Sequence, residues 1–247
     1  MVNNVPKIFT NSSNYLYHSN NRIDVVGVPI FQGYTRNYKQ NPVAVDSFRV
    51  RCIINDDKDR HNIDTEKMIK KIMNAASYAK ISPVYVACIV KQETHFNDKI
   101  VISENGKGPM GLTTIILEDL YLRPGFFDKN LKNSIKKYGS LNKLFEAKKN
   151  NPALKLGPLG EILYKYKDPE SLKKATTNDF DLNLKVGAIA FKGFLNDANG
   201  NLHAAFKRYN ANTSINENTG RMIQDEYADS TLASYNQAMK HSTLLIK

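Results

Sequence analysis

The chain has 247 residues, 41% hydrophobic and 10% aromatic, which is enough apolar material for a packed core and too much for a wholly disordered chain. Its formal net charge is +11, from 35 Lys and Arg against 24 Asp and Glu, so polyanionic partners are favoured. No arginine-rich tract, helix-turn-helix signal or ribonucleoprotein aromatic motif accompanies that charge, which speaks against nucleic acid, and no apolar run reaches the length of a membrane span.

Residues 1–60 are rich in Asn, Tyr and Ser, carry Gly27, Pro29, Gly33 and Pro42, and show no helical period. They read as an irregular or small-β N-terminal arm, with the alternating run from Ser47 to Ile54 as a candidate strand. Met1 to Lys7 lacks the apolar stretch of a secretory signal. Beyond the polar break Asn55–Arg60, Asp64 or Thr65 caps a helix whose Met68, Ile69, Ile72, Met73 and Ala76 recur at helical spacing. Ser82-Pro83 opens the next helix, with Ser at the cap and Pro in the first turn, where its missing N–H costs nothing.

That second helix buries Val84, Ala87, Cys88 and Val90 and ends near Glu93, an ionisable acid where aliphatic side chains are otherwise expected. A loop over 97–109 leads to a helical pattern from Met110 to Leu122, stopped by Arg123-Pro124-Gly125. A Lys-rich stretch follows, about 125–178, with two or three short amphipathic helices broken by Pro152, Gly157-Pro158, Gly160 and Pro169. It reads as a solvated helical face or a wall beside a groove. Asp181 starts a helix through Gly187, Phe191 and Phe194, Asn199-Gly200-Asn201 turns the chain into Leu202–Tyr209, and the tail over 218–243 is amphipathic.

Two cysteines, Cys52 and Cys88, make no disulfide framework, although an oxidising compartment would permit one bridge between them. No Cys and His cluster has zinc-ligand spacing, and His95 and His203 stand alone in the sequence.

Four pieces occur in order: Glu93-Thr94-His95-Phe96; Gly108-Pro109-Met110-Gly111-Leu112-Thr113-Thr114; Asn183-Leu184-Lys185-Val186-Gly187; and Tyr209-Asn210-Ala211-Asn212. Together they resemble the lytic transglycosylases of the soluble and goose-lysozyme-like branch of the lysozyme superfamily. That family carries Glu-Ser-x-Phe, Gly-Ala-x-Gly-Leu-Met-Gln, Asn-x-x-x-Gly and Tyr-Asn-Ala-Gly. The resemblance covers residues 65–115 and 180–215, with Thr94 in place of Ser, Pro109 of Ala, Thr114 of Gln and Asn212 of Gly. It implies a mainly α fold: a lysozyme-like (α+β) catalytic domain over 61–247, with a helical insertion at about 118–180 and the arm in front.

The resemblance also implies peptidoglycan glycan strands as substrate, with cleavage between N-acetylmuramic acid and N-acetylglucosamine to 1,6-anhydromuramoyl products. A single Glu93 would be acid and then base, with no metal and no cofactor. Thr94 would hold the site through its hydroxyl, Met110, Gly111, Leu112 and Thr114 would line the glycan groove, Tyr209 would aim its phenol at sugar or at Glu93, and Asn210 would brace the loop. A carboxyl flanked by Val86, Ile89, Val90 and Phe96 has its ionised form disfavoured by desolvation, which suits a general acid. The other readings are a catalytically degenerate wall-binding or assembly protein that keeps the fold, and a hydrolytic goose-type lysozyme with a second carboxylate. Asp98 and Glu104 are the nearest later acids. The expected setting is the bacterial envelope, the periplasm, reached as a virion- or secretion-associated enzyme docked through the arm, or as a trimmed mature form.

Overall fold

The structure is a computed structural model, and it describes residues 42–97, 99 and 106–246, with side chains as far as 242. Among those residues the fold is helical, and the sole β pairing is two isolated bridges, Lys107 with Leu112 and Ile215 with Met222. The β part expected of a lysozyme-like domain is therefore not found among them. No described helix is long and apolar enough to cross a membrane.

The first described helix, α1 (Pro42–Asn55), corrects the expected strand between Ser47 and Ile54. Val50, Ile53 and Ile54 are buried at helical spacing, and α1 packs against three helices described below, so this segment belongs to the core and not to an arm. Arg49, also buried, pairs with Asp46 at 3.2 Å and donates to Ser242 Oγ at 2.9 Å. The rest of the proposed arm, residues 1–41, lies outside the described residues.

Helix α2 (Thr65–Ala79) starts at Asp64, whose carboxylate accepts the Lys67 N–H at 3.0 Å, and ends on Lys80 in the left-handed region. Helix α3 (Pro83–Thr94) is capped by Ser82 Oγ, which accepts the Val84 N–H, and is buried along most of its length. Cys88 lies inside it, fully buried, while Cys52 on α1 is partly buried; both are free thiols, so the bridge that the sequence permitted does not form. Burial pushes both thiols up, Cys52 to about 11.

Five helices, not two or three, fill the Lys-rich insertion: α5 (Pro124–Phe127), α6 (Lys129–Tyr138), α7 (Leu141–Asn150), α8 (Gly157–Lys165) and α9 (Pro169–Asn178). They follow α4 (Thr114–Leu122), which begins four residues later than the apolar pattern predicted because Gly108–Gly111 forms a turn. Helix α10 (Phe180–Asp197) is the axis of the molecule, its N-terminus capped by Asp179 and its buried face running through Val186, Gly187, Ala188, Ile189, Ala190 and Phe191. It packs on α2, α5, α9 and α11 (Leu202–Asn210). The last helix, α12 (Ile223–Ile246), packs against α1, α3 and α11 and so returns the C-terminal chain to the helix that bears Glu93.

Phe191 stacks on Phe206 at 4.9 Å between centroids, and Tyr209 meets Phe191 and Phe194 edge-on. This aromatic cluster fixes α10 against α11. Its position matters because both helices reach into the turn that faces Glu93.

Candidate active site

Glu93 sits one residue from the end of α3, where the helix stops at His95 and Phe96, both with positive φ. Phe96 is fully buried and Glu93 partly so. Its Oε1 accepts a hydrogen bond of 2.8 Å from the Tyr227 hydroxyl on α12. Among the described residues Glu93 has no ion-pair partner, and neighbouring Lys91 does not reach it. Burial pushes the Glu93 carboxyl above its ordinary value, and the Tyr227 hydrogen bond pulls it part of the way back. Burial also holds the phenols of Tyr227 and Tyr209 well above their ordinary values, and the Glu93 charge adds to the shift. Tyr227 therefore stays protonated and donates to Oε1, which leaves Oε2 to carry the exchangeable proton of Glu93.

Opposite the acid lies the turn Gly108-Pro109-Met110-Gly111. Lys107 and Leu112 exchange backbone hydrogen bonds of 3.1 and 3.0 Å, and the Gly111 N–H closes on the Gly108 carbonyl at 3.0 Å. Gly111 has φ +57, and a Cβ there would lie 2.0 Å from Glu93 Oε2 and 2.4 Å from its Cδ. Only glycine permits both this backbone and this approach of the carboxyl to the chain.

Two helices hold the turn by its central residue. Asn183 on α10 accepts the Met110 N–H through Oδ1 at 3.1 Å, and donates through Nδ2 to the Lys107 carbonyl at 2.9 Å and the Thr176 carbonyl at 3.3 Å. Tyr209 on α11 donates to the Met110 carbonyl at 2.7 Å. One turn along α10, Gly187 leaves the space filled by Met110, whose Cβ would be 2.4 Å from a Cβ at position 187. Asn183, Met110 and Tyr209 are all buried, so these bonds are made away from water, where unpaired partners are costly.

The four separated pieces of sequence thus meet in space, but with roles different from several of those expected. The Tyr209 phenol points at neither open groove nor Glu93; it is buried and spent on the Met110 carbonyl. Met110 and Leu112 are buried core side chains, so the turn can present only backbone there. The Thr94 hydroxyl donates back to the Val90 carbonyl, one helical turn earlier, at 3.1 Å, and does not reach the acid. Thr114 is exposed at the start of α4. Asn210 does brace its loop: its Oδ1 accepts the Asn212 N–H at 3.2 Å, and Asn212 in turn accepts the Ser214 N–H at 3.0 Å. Asp98 and Glu104 lie outside the described residues.

Tyr227 is the site residue that sequence reasoning missed. Nothing local marks it within the amphipathic tail, and its partner is 134 residues away in the chain. The loop from α11 delivers it: Asn216 and Thr219 bond the carboxylate of Glu226, its immediate neighbour, while Ser230 on the next turn donates to Gln92 on α3 at 2.8 Å.

The two histidines that stood alone in the sequence each find a carboxylate. His203 pairs with Asp229 at 3.0 Å. His95 Nδ1 lies 3.2 Å from both oxygens of buried Asp57, and with Asp59 these form a group whose ligand atoms all lie within 4.8 Å of one another. That trio could hold a cation, but the Asp57–His95 contact and the Asp59 N–H already satisfy the buried carboxylate. No family model, curated protein or solved structure matches the chain.

Proposed function

We propose that this chain is a peptidoglycan lytic transglycosylase in which Glu93 is the one acid and base. The observation that carries the reading is the setting of that carboxyl: desolvated, held on Oε1 by a protonated tyrosine, and pressed on Oε2 against a glycine turn built for close approach. A carboxyl so placed keeps its proton nearer to neutral pH than a free one, which is the state a general acid requires.

In the proposed reaction the Oε2 proton passes to the glycosidic oxygen between muramoyl and glucosaminyl residues, and the C1–O bond breaks to leave an oxocarbenium-like sugar. The C6 hydroxyl of the same muramoyl residue attacks C1, forming the 1,6-anhydro bridge. Its proton goes to the Glu93 carboxylate, which restores the acid without water. Tyr227, by donating to Oε1, stabilises the carboxylate that exists between the two transfers. The bacterial envelope is the setting this substrate requires.

Digestion of purified peptidoglycan by wild type and Glu93→Gln, with products resolved by mass spectrometry, tests the proposal. Anhydromuropeptides from wild type and none from the variant are the expected result. Reducing-end products would make the enzyme a hydrolase, and no products from wild type would remove the activity altogether.

A further inference from the structure

The formal charge of +11 is not spread evenly along the chain. Residues 129–155, which form α6, α7 and the start of the next connection, hold eight lysines against one acid, Glu146. Lys148 is the single one of the eight that is not exposed; its ammonium is taken up by the Leu154 carbonyl and Glu161. The lysines that form ion pairs among the described residues are Lys71, Lys148, Lys173 and Lys207, so the exposed ones of this segment form none.

Helix stability does not account for this distribution. Lysines in the last turns, such as Lys136, Lys137 and Lys149, complement the helix dipole. Lys129 and Lys132 occupy the first turn of α6 and Lys143 that of α7, where positive charge opposes the dipole. Lys132 and Lys136 add a like-charge pair at i, i+4 on a helix with no acid. The helices tolerate this because Leu131 and Leu144 are fully buried and Asp128 and Ser140 cap them.

The fold brings these lysines close together in one helical hairpin. Gly139, at φ +89, and Ser140 link α6 directly to α7, and the two helices pack on each other. Each has 10 residues and is about 15 Å long, so the lysines span only a few screening lengths. The large exposed apolar side chains among the described residues, Ile115, Leu122 and Ile215, all lie elsewhere, so nothing on the hairpin would enter a bilayer. Lysines without arginine forks or free aromatic platforms suit dispersed anionic groups better than stacked bases.

We propose that the α6–α7 hairpin is a retention surface for carboxylate-bearing cell-wall polymer, which it binds through the stem-peptide carboxylates while Glu93 works on the glycan. The proposal rests on the wall-cleaving reading for its choice of polyanion. It is tested on the full chain carrying Glu93→Gln, so that wall is bound and not digested, with and without Lys129→Gln, Lys132→Gln, Lys136→Gln and Lys143→Gln together. A control removes the same number of exposed charges elsewhere: Lys58→Gln, Lys67→Gln, Lys70→Gln and Lys240→Gln.

Cosedimentation with insoluble peptidoglycan at about 50 mM salt is expected to show about tenfold weaker binding for the hairpin variant, roughly twofold per exposed charge. The gap should close near 500 mM, where the screening length shrinks to about 4 Å, and the control should bind as the parent does. Wall with amidated carboxyls should hold parent and hairpin variant alike. Equal binding of parent and hairpin variant to native wall, an equal loss in the control, or lysine-dependent binding to phosphatidylglycerol vesicles or duplex DNA but not to wall would each overturn the proposal. The cleavage reading fails separately, if the chain with Glu93 intact releases no glycan product from peptide-free strands. On those strands the four lysine substitutions, made with Glu93 intact, should leave cleavage at the wild-type rate.

Discussion

Replacing Gly111 by alanine tests the core of the site. Two penalties follow from the geometry. The backbone at φ +57 costs a residue with a Cβ about 1–2 kcal/mol. The new Cβ would also stand 2.0 Å from Glu93 Oε2, so the carboxyl must leave its position and give up the Tyr227 hydrogen bond. Gly220 separates the two effects: it has φ +70, but a Cβ there would meet nothing within 4 Å, so Gly220→Ala carries the first penalty without the second. For a domain of this size a loss of about 1 kcal/mol lowers Tm by roughly 2–4 °C. Gly220→Ala should show that shift in thermal melts and retain full cleavage of peptidoglycan. Gly111→Ala should melt lower still and lose about 100-fold in anhydromuropeptide release, the scale of a 1 Å misplacement of a reacting group. If Gly111→Ala cleaves as fast as Gly220→Ala, the carboxyl does not work from the position described and the reasoning fails.

Tyr227→Phe removes the bond that favours ionised Glu93, so the carboxyl rises further. A general acid fails as pH climbs through its pKa, and the alkaline limb of the kcat/KM profile should therefore move to higher pH, with about 1 kcal/mol lost in denaturant melts. Glu93→Gln should melt higher than wild type near pH 8. The raised carboxyl penalises the fold once it is ionised, so the gap should close as pH falls from the raised folded value towards the ordinary one. Asn183→Ala takes the side-chain partner from the Met110 N–H and the Thr176 carbonyl and leaves the Lys107 carbonyl with the Leu112 N–H alone, and should cost about 2–4 kcal/mol by chemical denaturation, with cleavage falling in parallel.

Local chemistry is what the sequence disclosed. Ser82-Pro83 and Asp64 marked helix starts because a cap is decided within three residues, and both cap as expected. Glu93 stood out for the same reason, as an acid beside apolar neighbours. Residues whose role depends on a distant partner were not legible. Val50, Ile53 and Ile54 looked like part of an alternating strand until α3 and α12 gave them a surface to pack against. Tyr209 and Tyr227 carry the same phenol; which of them meets Glu93 and which holds Met110 is decided by the path of the loop over 211–222, not by either residue's neighbours. The Asp57–His95 contact was hidden in the same way, 38 residues apart.

The separation of Glu93 from Tyr227 also sets a schedule. Synthesis at about 5–20 residues per second brings the acid out of the ribosome first, and the 134 residues to its hydrogen-bond partner take roughly 7–27 s more. Through that interval the nascent chain carries the acid without the hydroxyl that orients it, and before Tyr209 has emerged even the turn opposite is unpinned. On the proposed reading the site thus becomes competent only as α12 docks on α3.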